Sequence, residues 1–191
     1  MEYRVVVLGN KQVGRTSFVK RFIEDKFPSS TEVTIEDCDY KKKISIPGEE
    51  FCYVKVVDIA YTGSDSNMKN SGQSYIFVFD ITDKVSFKDL KLFVNRVREA
   101  NSFDKSYTFP FCIVGNKVDI VNVKPGAREV KKADAVKLCK SLGGTKDSYF
   151  ECSARDGINI TEPYELAVKL LWKHLEKASG VTNHGEHCMI Q

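Results

Sequence analysis

Residues 9–16, G-N-K-Q-V-G-R-T, carry the first pattern that could do chemistry. The apolar run Tyr3–Leu8 precedes this segment and the amphipathic run Ser17–Glu24 follows it, so its glycines bound a loop between a strand and a helix. The backbone amides of such a loop, together with the positive end of the helix, form a concave site for an anion. The spacing matches the phosphate-loop pattern G-x-x-x-x-G-K-[ST], except that Arg15 replaces the lysine, and Thr16 keeps the hydroxyl that can reach magnesium. An ordinary glycine-containing turn is the alternative interpretation.

A second polar pattern follows two later apolar strands. Residues 116–119 (N-K-V-D) come after Phe111–Gly115, and residues 153–155 (S-A-R) come after Tyr149–Cys152. Asp119 offers two adjacent carboxylate oxygens, and guanine presents two adjacent N–H donors on an edge that adenine cannot match. A polar turn is the alternative for N-K-x-D alone, but its pairing with the phosphate loop favours a nucleotide site. The sequence therefore predicts selectivity for guanine.

Three further groups complete the predicted base site. The aliphatic stem of Lys117 can cover one face of the base. Phe27 is placed to meet the base from the other side. The backbone amide of Ala154 can donate to the keto oxygen of guanine.

Apolar strands alternate with amphipathic helices along the 191 residues, which are enough for one domain with a substantial core. This alternation implies an α/β fold with a six-stranded, mostly parallel sheet and helices on both faces. Ligands of such sheets bind beyond the carboxyl ends of the strands, where both polar patterns lie. The predicted strands are Tyr3–Leu8, Glu36–Ser45, Glu50–Asp58, Tyr75–Ile81, Phe111–Gly115 and Tyr149–Cys152. The predicted helices are Arg15–Glu24, Ser86–Ala100, Val130–Leu142 and Thr161–Lys177.

Composition narrows the class of protein. Hydrophobic residues are 42% and charged residues 29%, which is typical of a globular chain. The net charge of +3 is too mild to indicate a nucleic-acid partner, and no apolar run is long enough to cross a bilayer. The 6 cysteines form no C-x-x-C pair and lie mostly in apolar patterns, so we expect reduced thiols in the core of a cytoplasmic protein.

Together these patterns resemble the Ras-like small GTPase superfamily, and the likeness covers residues 3–177 in order. Beyond the phosphate loop and the base motif, Thr34 matches the switch I threonine and Asp58 the aspartate that opens the D-x-x-G motif. Residues 34–37 (T-I-E-D) match the effector segment of the Ras branch. Residues 188–191 (C-M-I-Q) look like the prenylation box of that branch.

The resemblance implies a molecular switch in signal transduction that binds GTP or GDP with Mg²⁺. A small G domain of the P-loop NTPase type would span residues 1–177, and a flexible tail would span residues 178–191. Thr16 and Thr34 would ligate the metal, with Asp58 beside those ligands. The residues that would contact the nucleotide are Gly9, Asn10, Lys11, Gln12, Val13, Gly14, Arg15, Thr16, Ser17, Phe27, Thr34, Asn116, Lys117, Asp119, Ser153, Ala154 and Arg155.

The same resemblance implies protein and membrane partners. An effector would add a strand at residues 36–45 and meet the acidic side chains of Glu36 and Asp37. An exchange factor and an activating protein are further expected partners. A prenyl group on Cys188 would attach the cytoplasmic protein reversibly to the cytoplasmic face of a membrane, because one lipid chain gives only marginal binding. The protein would be a monomer.

Four positions depart from the family pattern. Arg15 replaces a compact ammonium with a wide planar guanidinium, and Lys11 stands where the Ras branch usually has glycine. The D-x-x-G motif reads D-I-A-Y, so Tyr61 replaces its glycine. Thr62 replaces the glutamine that orients the attacking water. Lys11, Tyr61 and Thr62 are therefore the candidate catalytic residues, and we expect slow GTP hydrolysis.

Two alternatives to a switch stay open. The chain could hold a nucleotide constantly and signal by its abundance or location. It could also be a scaffold of the same fold that binds no nucleotide, with Arg15 as the cause. The nucleotide released from the purified protein separates these possibilities, because a switch that turns over releases GDP, a constant binder releases GTP and a scaffold releases neither.

Overall fold

The computed structural model describes residues 1–28, 38–46, 51–59, 72–103 and 107–179. The strands are β1 (Glu2–Gly9), β2 (Cys38–Ile44), β3 (Cys52–Asp58), β4 (Ser74–Asp80), β5 (Phe111–Asn116) and β6 (Tyr149–Glu151). They form a six-stranded sheet in the order β2-β3-β1-β4-β5-β6. Only the pairing of β2 with β3 is antiparallel. The predicted α/β fold with a mostly parallel sheet is confirmed.

Helices cover both faces of this sheet. They are α1 (Arg15–Glu24), α2 (Lys84–Lys88), α3 (Leu90–Ala100), α4 (Val118–Val123), α5 (Lys132–Ser141) and α6 (Glu162–Ser179). Side chains of β1 alternate between two cores, because successive residues of a strand point to opposite faces. Val5 and Val7 pack with α1 and α6, whereas Val6 and Leu8 pack with α3 and α5. Both faces of β1 are therefore apolar.

Aromatic stacking joins α1 to α6. The ring of Tyr164 lies 3.7 Å from that of Phe22 and 5.3 Å from that of Phe18, measured between centroids. Tyr164 and Phe18 are fully buried. Stacked aromatic pairs stabilise a core beyond the area that they bury. The helix that follows the phosphate loop is thus held by a helix from the far end of the chain.

Three helix predictions need correction. The predicted helix Ser86–Ala100 is two helices that meet at Asp89, because apolar spacing gives the helical period but not the point at which the backbone bends. The helix predicted to begin at Val130 begins at Lys132, since the Val130 amide donates to the Ile81 carbonyl of the sheet. The short helix α4 was missed, because residues 116–119 were interpreted for their contacts with a base and no helix was predicted after them.

Helix α6 begins at Glu162 and continues to Ser179, two residues into the predicted flexible tail. The division between domain and tail otherwise stays a prediction, since residues beyond Ser179 lie outside the described part. Among the described helices, none combines the length and the apolarity needed to cross a membrane.

Described cysteines carry free thiols, and four of them are buried, as the sequence predicts. Burial raises the pKa of Cys139 to about 11. Burial, with Cys112 as a further contributor, also raises the pKa of Cys152 well above its ordinary value. These thiols are therefore protonated at neutral pH and behave as small apolar groups.

Candidate functional site

The predicted phosphate loop begins at the carboxyl end of β1 and ends at the first turn of α1. Gly14 precedes the helix with a φ of 83°, and a Cβ atom there would lie 2.6 Å from Nδ2 of Asn116. Glycine therefore satisfies both the left-handed backbone and the close approach. The first turn of α1 contains no acidic residue and has no side-chain cap, so its backbone amides suit an anion.

One buried amide joins the phosphate loop to the two base loops. Nδ2 of Asn116 donates to the Val13 carbonyl at 2.9 Å, and the Ala154 amide donates to Oδ1 of Asn116 at 3.1 Å. Asn116 is only 1% exposed. Because an amide side chain both donates and accepts, Asn116 fixes three segments of the predicted site relative to one another.

Lys117 makes a second link between the loops. Its φ of 71° directs the side chain back over the carboxyl ends of the strands. The ammonium donates to the Gln12 carbonyl at 2.7 Å and pairs with Oδ2 of Asp80, also at 2.7 Å. Sequence reasoning missed Asp80, although a carboxylate that ends a buried strand at this edge of the sheet was a usable signal.

Asp119 and Ser153 form the centre of the predicted base site. The Ser153 hydroxyl donates to Oδ1 of Asp119 at 2.7 Å and accepts from the Asp156 amide at 2.9 Å. Ser153 is fully buried and Asp119 is half-buried. The orientation of the carboxylate is therefore fixed before any base arrives. The side chains of Phe27 and Arg155 are exposed, and their predicted contacts with the nucleotide stay predictions.

The guanidinium of Arg15 is directed into the base of the loop. Its Nε donates to Oδ1 of Asp58 in a very short contact, and its Nη1 donates to the Gly9 carbonyl at 2.9 Å. Arg15 is 8% exposed and Asp58 is 0% exposed. The Thr16 hydroxyl donates to the other carboxylate oxygen, Oδ2, at 2.6 Å. Asp58 is thus bonded on both oxygens, once to a permanent cation.

The predicted magnesium site fits these residues only in part. The Thr16 hydroxyl could donate to Asp58 and still offer a lone pair to a metal. The guanidinium does not fit, because it places a positive charge on the carboxylate that would otherwise support the divalent ion. The third predicted metal residue, Thr34, lies outside the described residues. The ligand set therefore stays a prediction that the geometry at Asp58 does not favour.

Some of the remaining predicted residues lie in the described part of the chain and others lie outside it. Lys11 and Gln12 are exposed on the loop, and Ser17 is a buried residue of α1. Asn10 donates to Oδ2 of Asp89 at 2.7 Å, a contact that the sequence did not indicate. The predictions for Thr34, Glu36, Asp37, Tyr61, Thr62 and Cys188 lie outside the described residues and stay predictions.

A mostly parallel sheet with a phosphate loop after its first strand, and base loops after β5 and β6, defines the class of small G domains. The family model described as "Ras family" matches residues 4–173. The chain belongs to the Ras family of small GTPases, whose members are GTP hydrolases.

Individual relatives agree with this assignment. "Ras-like protein RAS2" of Hydra vulgaris is 30% identical over 93% of this chain and 88% of its own length. "Ras-like protein rasB" of Dictyostelium discoideum is 28% identical over 92% and 85%. "Ypt/Rab-type GTPase ypt7" of Schizosaccharomyces pombe is 27% identical over 91% and 83%. The likeness to a Rab-type protein shows that the match is to the GTPase class as much as to one branch.

Proposed function

We propose that this chain is a Ras-like signalling switch that binds GDP and GTP selectively and hydrolyses GTP very slowly. The observation that carries the proposal is the bonded set of Asn116, Ala154, Ser153 and Asp119, which fixes a carboxylate and a backbone amide at the carboxyl ends of β5 and β6. The family assignment supports nucleotide binding, while the rate and the signalling role are our proposals.

Selectivity follows from the chemistry of this bonded set. The Asp119 carboxylate accepts from two N–H groups on guanine, whereas adenine would leave it without donors. A site built to hydrogen-bond one ligand rejects an analogue that lacks the matching group by about 10⁴-fold or more, because the polar groups of the site are left unpaired. The Ala154 amide, held by Asn116, suits the keto oxygen of the same base.

Slow hydrolysis follows from the residues that should position water. Phosphoryl transfer depends on placing a water in line and on stabilising the charge on the γ-phosphoryl oxygens. Thr62 is too short to replace the water-orienting glutamine, and Tyr61 restricts the backbone where the family has glycine. Lys11, exposed on the loop, adds a cation that can approach the β–γ bridging oxygen.

We propose that an effector protein binds at the edge of the sheet. Strand β2 lies at the edge of the six-stranded sheet and pairs only with β3 among the described strands. Its outer backbone groups can therefore receive a strand from a partner. Lys41 and Lys43 are exposed on this strand, so the partner's added strand would carry acidic side chains opposite them.

The test is competition for a fluorescent GDP analogue by unlabelled GDP, GTP and ADP. GDP and GTP should displace the analogue, and ADP should fail at about 1,000-fold higher concentration. Equal displacement by GDP and ADP would refute guanine selectivity. The nucleotide that leaves the freshly purified protein on denaturation gives a second readout, since GDP indicates a turning-over switch and GTP a constant binder.

A scaffold without nucleotide is the second candidate, and one observation favours it. Arg15 directs two of its donors to Asp58 and Gly9, so these donors are not available to a phosphate. The scaffold predicts that no nucleotide is released and that the fluorescent analogue does not bind. The ordered base loops favour the switch, because a pure scaffold gains nothing from a fixed carboxylate at Asp119.

A further inference from the structure

We propose that Arg15 takes the place of the divalent cation, so that this chain binds guanine nucleotides without magnesium. The inference rests on the proposed function, because it concerns how the same site holds the phosphates. The observation behind it is the juxtaposition of the Arg15 guanidinium, the buried Asp58 carboxylate and the Thr16 hydroxyl.

The first step concerns Asp58. A carboxylate that is 0% exposed requires a compensating positive charge, because burial removes the water that would solvate it. Arg15 supplies that charge directly through Nε. The guanidinium cannot be deprotonated at any working pH, so the compensation is permanent. No second cation is needed to neutralise this carboxylate.

The second step concerns the shape of the arginine side chain. Its planar fork donates from Nε to Asp58 and from Nη1 to the Gly9 carbonyl at the same time. Lysine carries a compact charge with no such fork, and it could turn towards a phosphate instead. Arginine thus ties the carboxyl end of β1 to the carboxyl end of β3 within one buried cluster.

The third step concerns repulsion. A divalent cation bonded near Asp58 and Thr16 would lie within a few ångströms of the guanidinium, in a region that excludes most water. Like charges repel more strongly there than in bulk solvent. The described residues contain no alternative group of three or more His, Cys, Asp or Glu side chains for a metal. Magnesium therefore gains little from entering the site.

The fourth step concerns the phosphates themselves. The uncapped first turn of α1 supplies backbone amides, and the pairing of the guanidinium with Asp58 removes the negative charge that would otherwise repel the phosphates. Lys11 is exposed on the same loop and adds a cation. These groups together replace the electrostatic contribution that the metal makes in the family.

The experiment measures the affinity of the full chain for a fluorescent GDP analogue, in excess Mg²⁺ and in excess EDTA. We expect the wild-type Kd to change by less than about threefold between the two buffers. Arg15→Lys should introduce a Mg²⁺ dependence of about tenfold or more, since a lysine can release Asp58 to the metal.

Arg128→Lys is the matched control. Arg128 also pairs with a carboxylate, that of Glu151, through Nη1 at 2.8 Å and Nη2 at 3.0 Å. This control should leave the Kd and its indifference to Mg²⁺ unchanged. Thermal unfolding of the GDP-loaded wild type gives a readout that needs no variant, and its midpoint should be the same with Mg²⁺ as with EDTA.

The contrary outcomes separate the two proposals. A wild-type Kd that tightens by about tenfold or more in Mg²⁺ would overturn the replacement of the cation while leaving guanine nucleotide binding intact. A higher unfolding midpoint in Mg²⁺ than in EDTA would overturn it in the same way. Absence of binding in both buffers would overturn the proposed function and this inference with it.

Discussion

The two ends of the candidate site differ in how closely they keep the family pattern. At the base end, Asn116, Ser153 and Asp119 match the motif, and their side chains are joined by hydrogen bonds of ordinary length to neighbouring loops. At the phosphate end, Arg15 departs from the motif and is bonded to Asp58 rather than left to face a ligand. The residues expected to recognise the base thus keep the family pattern, whereas the residues that compensate charge near the phosphates depart from it.

This difference indicates that nucleotide binding and GTP hydrolysis depend on separate parts of one site. Base selectivity depends on a preformed set of donors and acceptors, which tolerates changes elsewhere. Turnover depends on cations, a positioned water and a backbone that moves with the γ-phosphate. A chain can therefore keep its selectivity for the base and lose much of its rate of GTP hydrolysis.

The largest expected effect is that of Asp119→Asn at the base end. The variant replaces one of the two acceptor oxygens with an NH2 donor that faces a guanine N–H group, so affinity for GDP should fall by about 10⁴-fold. Xanthine, whose 2-oxo group accepts from an asparagine amide, should become the preferred base. Competition with GDP, ADP and XDP measures this, and a variant that keeps its preference for GDP would show that Asp119 does not contact the base.

The rate of GTP hydrolysis tests the phosphate end of the site. Loss of one positioned donor costs about 100- to 1,000-fold in rate, so single-turnover hydrolysis of radiolabelled GTP should be slower than that of an ordinary Ras protein by about that factor. We expect no acceleration by Ras-type activating proteins, because Lys11 places a bulky cation at a loop position where the Ras branch usually has glycine.

Lys11→Gly is the informative variant for this rate. A further decrease would show that Lys11 assists by approaching the bridging oxygen. A faster variant would show that Lys11 obstructs the site, and a wild-type rate equal to that of an ordinary Ras protein would contradict our interpretation of Tyr61 and Thr62.

Asn116→Ala removes the bonds that join the base loops to the phosphate loop. The Val13 carbonyl and the Ala154 amide would both lose a buried partner, at a cost of about 1–3 kcal/mol in the free energy of unfolding. Affinity for GDP should fall by about tenfold or more, because the loops are no longer fixed relative to one another. Urea unfolding and the GDP Kd measure the two effects, and a stable variant with unchanged Kd would show that this bracing is unnecessary.

The smallest expected effect is a pH dependence of the free energy of unfolding, caused by Glu151 in β6. Burial raises the pKa of Glu151, but the bonds from Arg128 outweigh it and hold the pKa below the ordinary value. A lowered pKa in the folded state stabilises the protein above the unfolded pKa, and that contribution is lost as the pH falls through the folded value. Glu151→Gln should therefore cost about 1 kcal/mol at neutral pH and nothing in acid. If the unfolding midpoints of the wild type and the variant differ by the same amount at neutral and at acid pH, the ion pair of Glu151 with Arg128 does not stabilise the protein.

Sequence patterns predicted the base end better than the phosphate end. The succession of strands along the chain and the positions of Asn116 and Asp119 at the ends of these strands followed from apolar runs and motif spacing, because each depends on local sequence. The pairing of Arg15 with Asp58 could not be predicted, since it joins residues 43 positions apart through the orientation of a flexible side chain. The contacts of Asp80 with Lys117 and of Asp89 with Asn10 were missed as well, because each joins segments that are distant in the sequence.

The stacking of Tyr164 against Phe18 and Phe22 has a consequence for synthesis of the chain. Helix α1 leaves the ribosome before α6, so α1 lacks this packing partner until α6 has been synthesised. Contacts between segments so far apart in the sequence are slow to form, because the long loop between them must be closed. Stable packing of α1 therefore requires the chain as far as Tyr164.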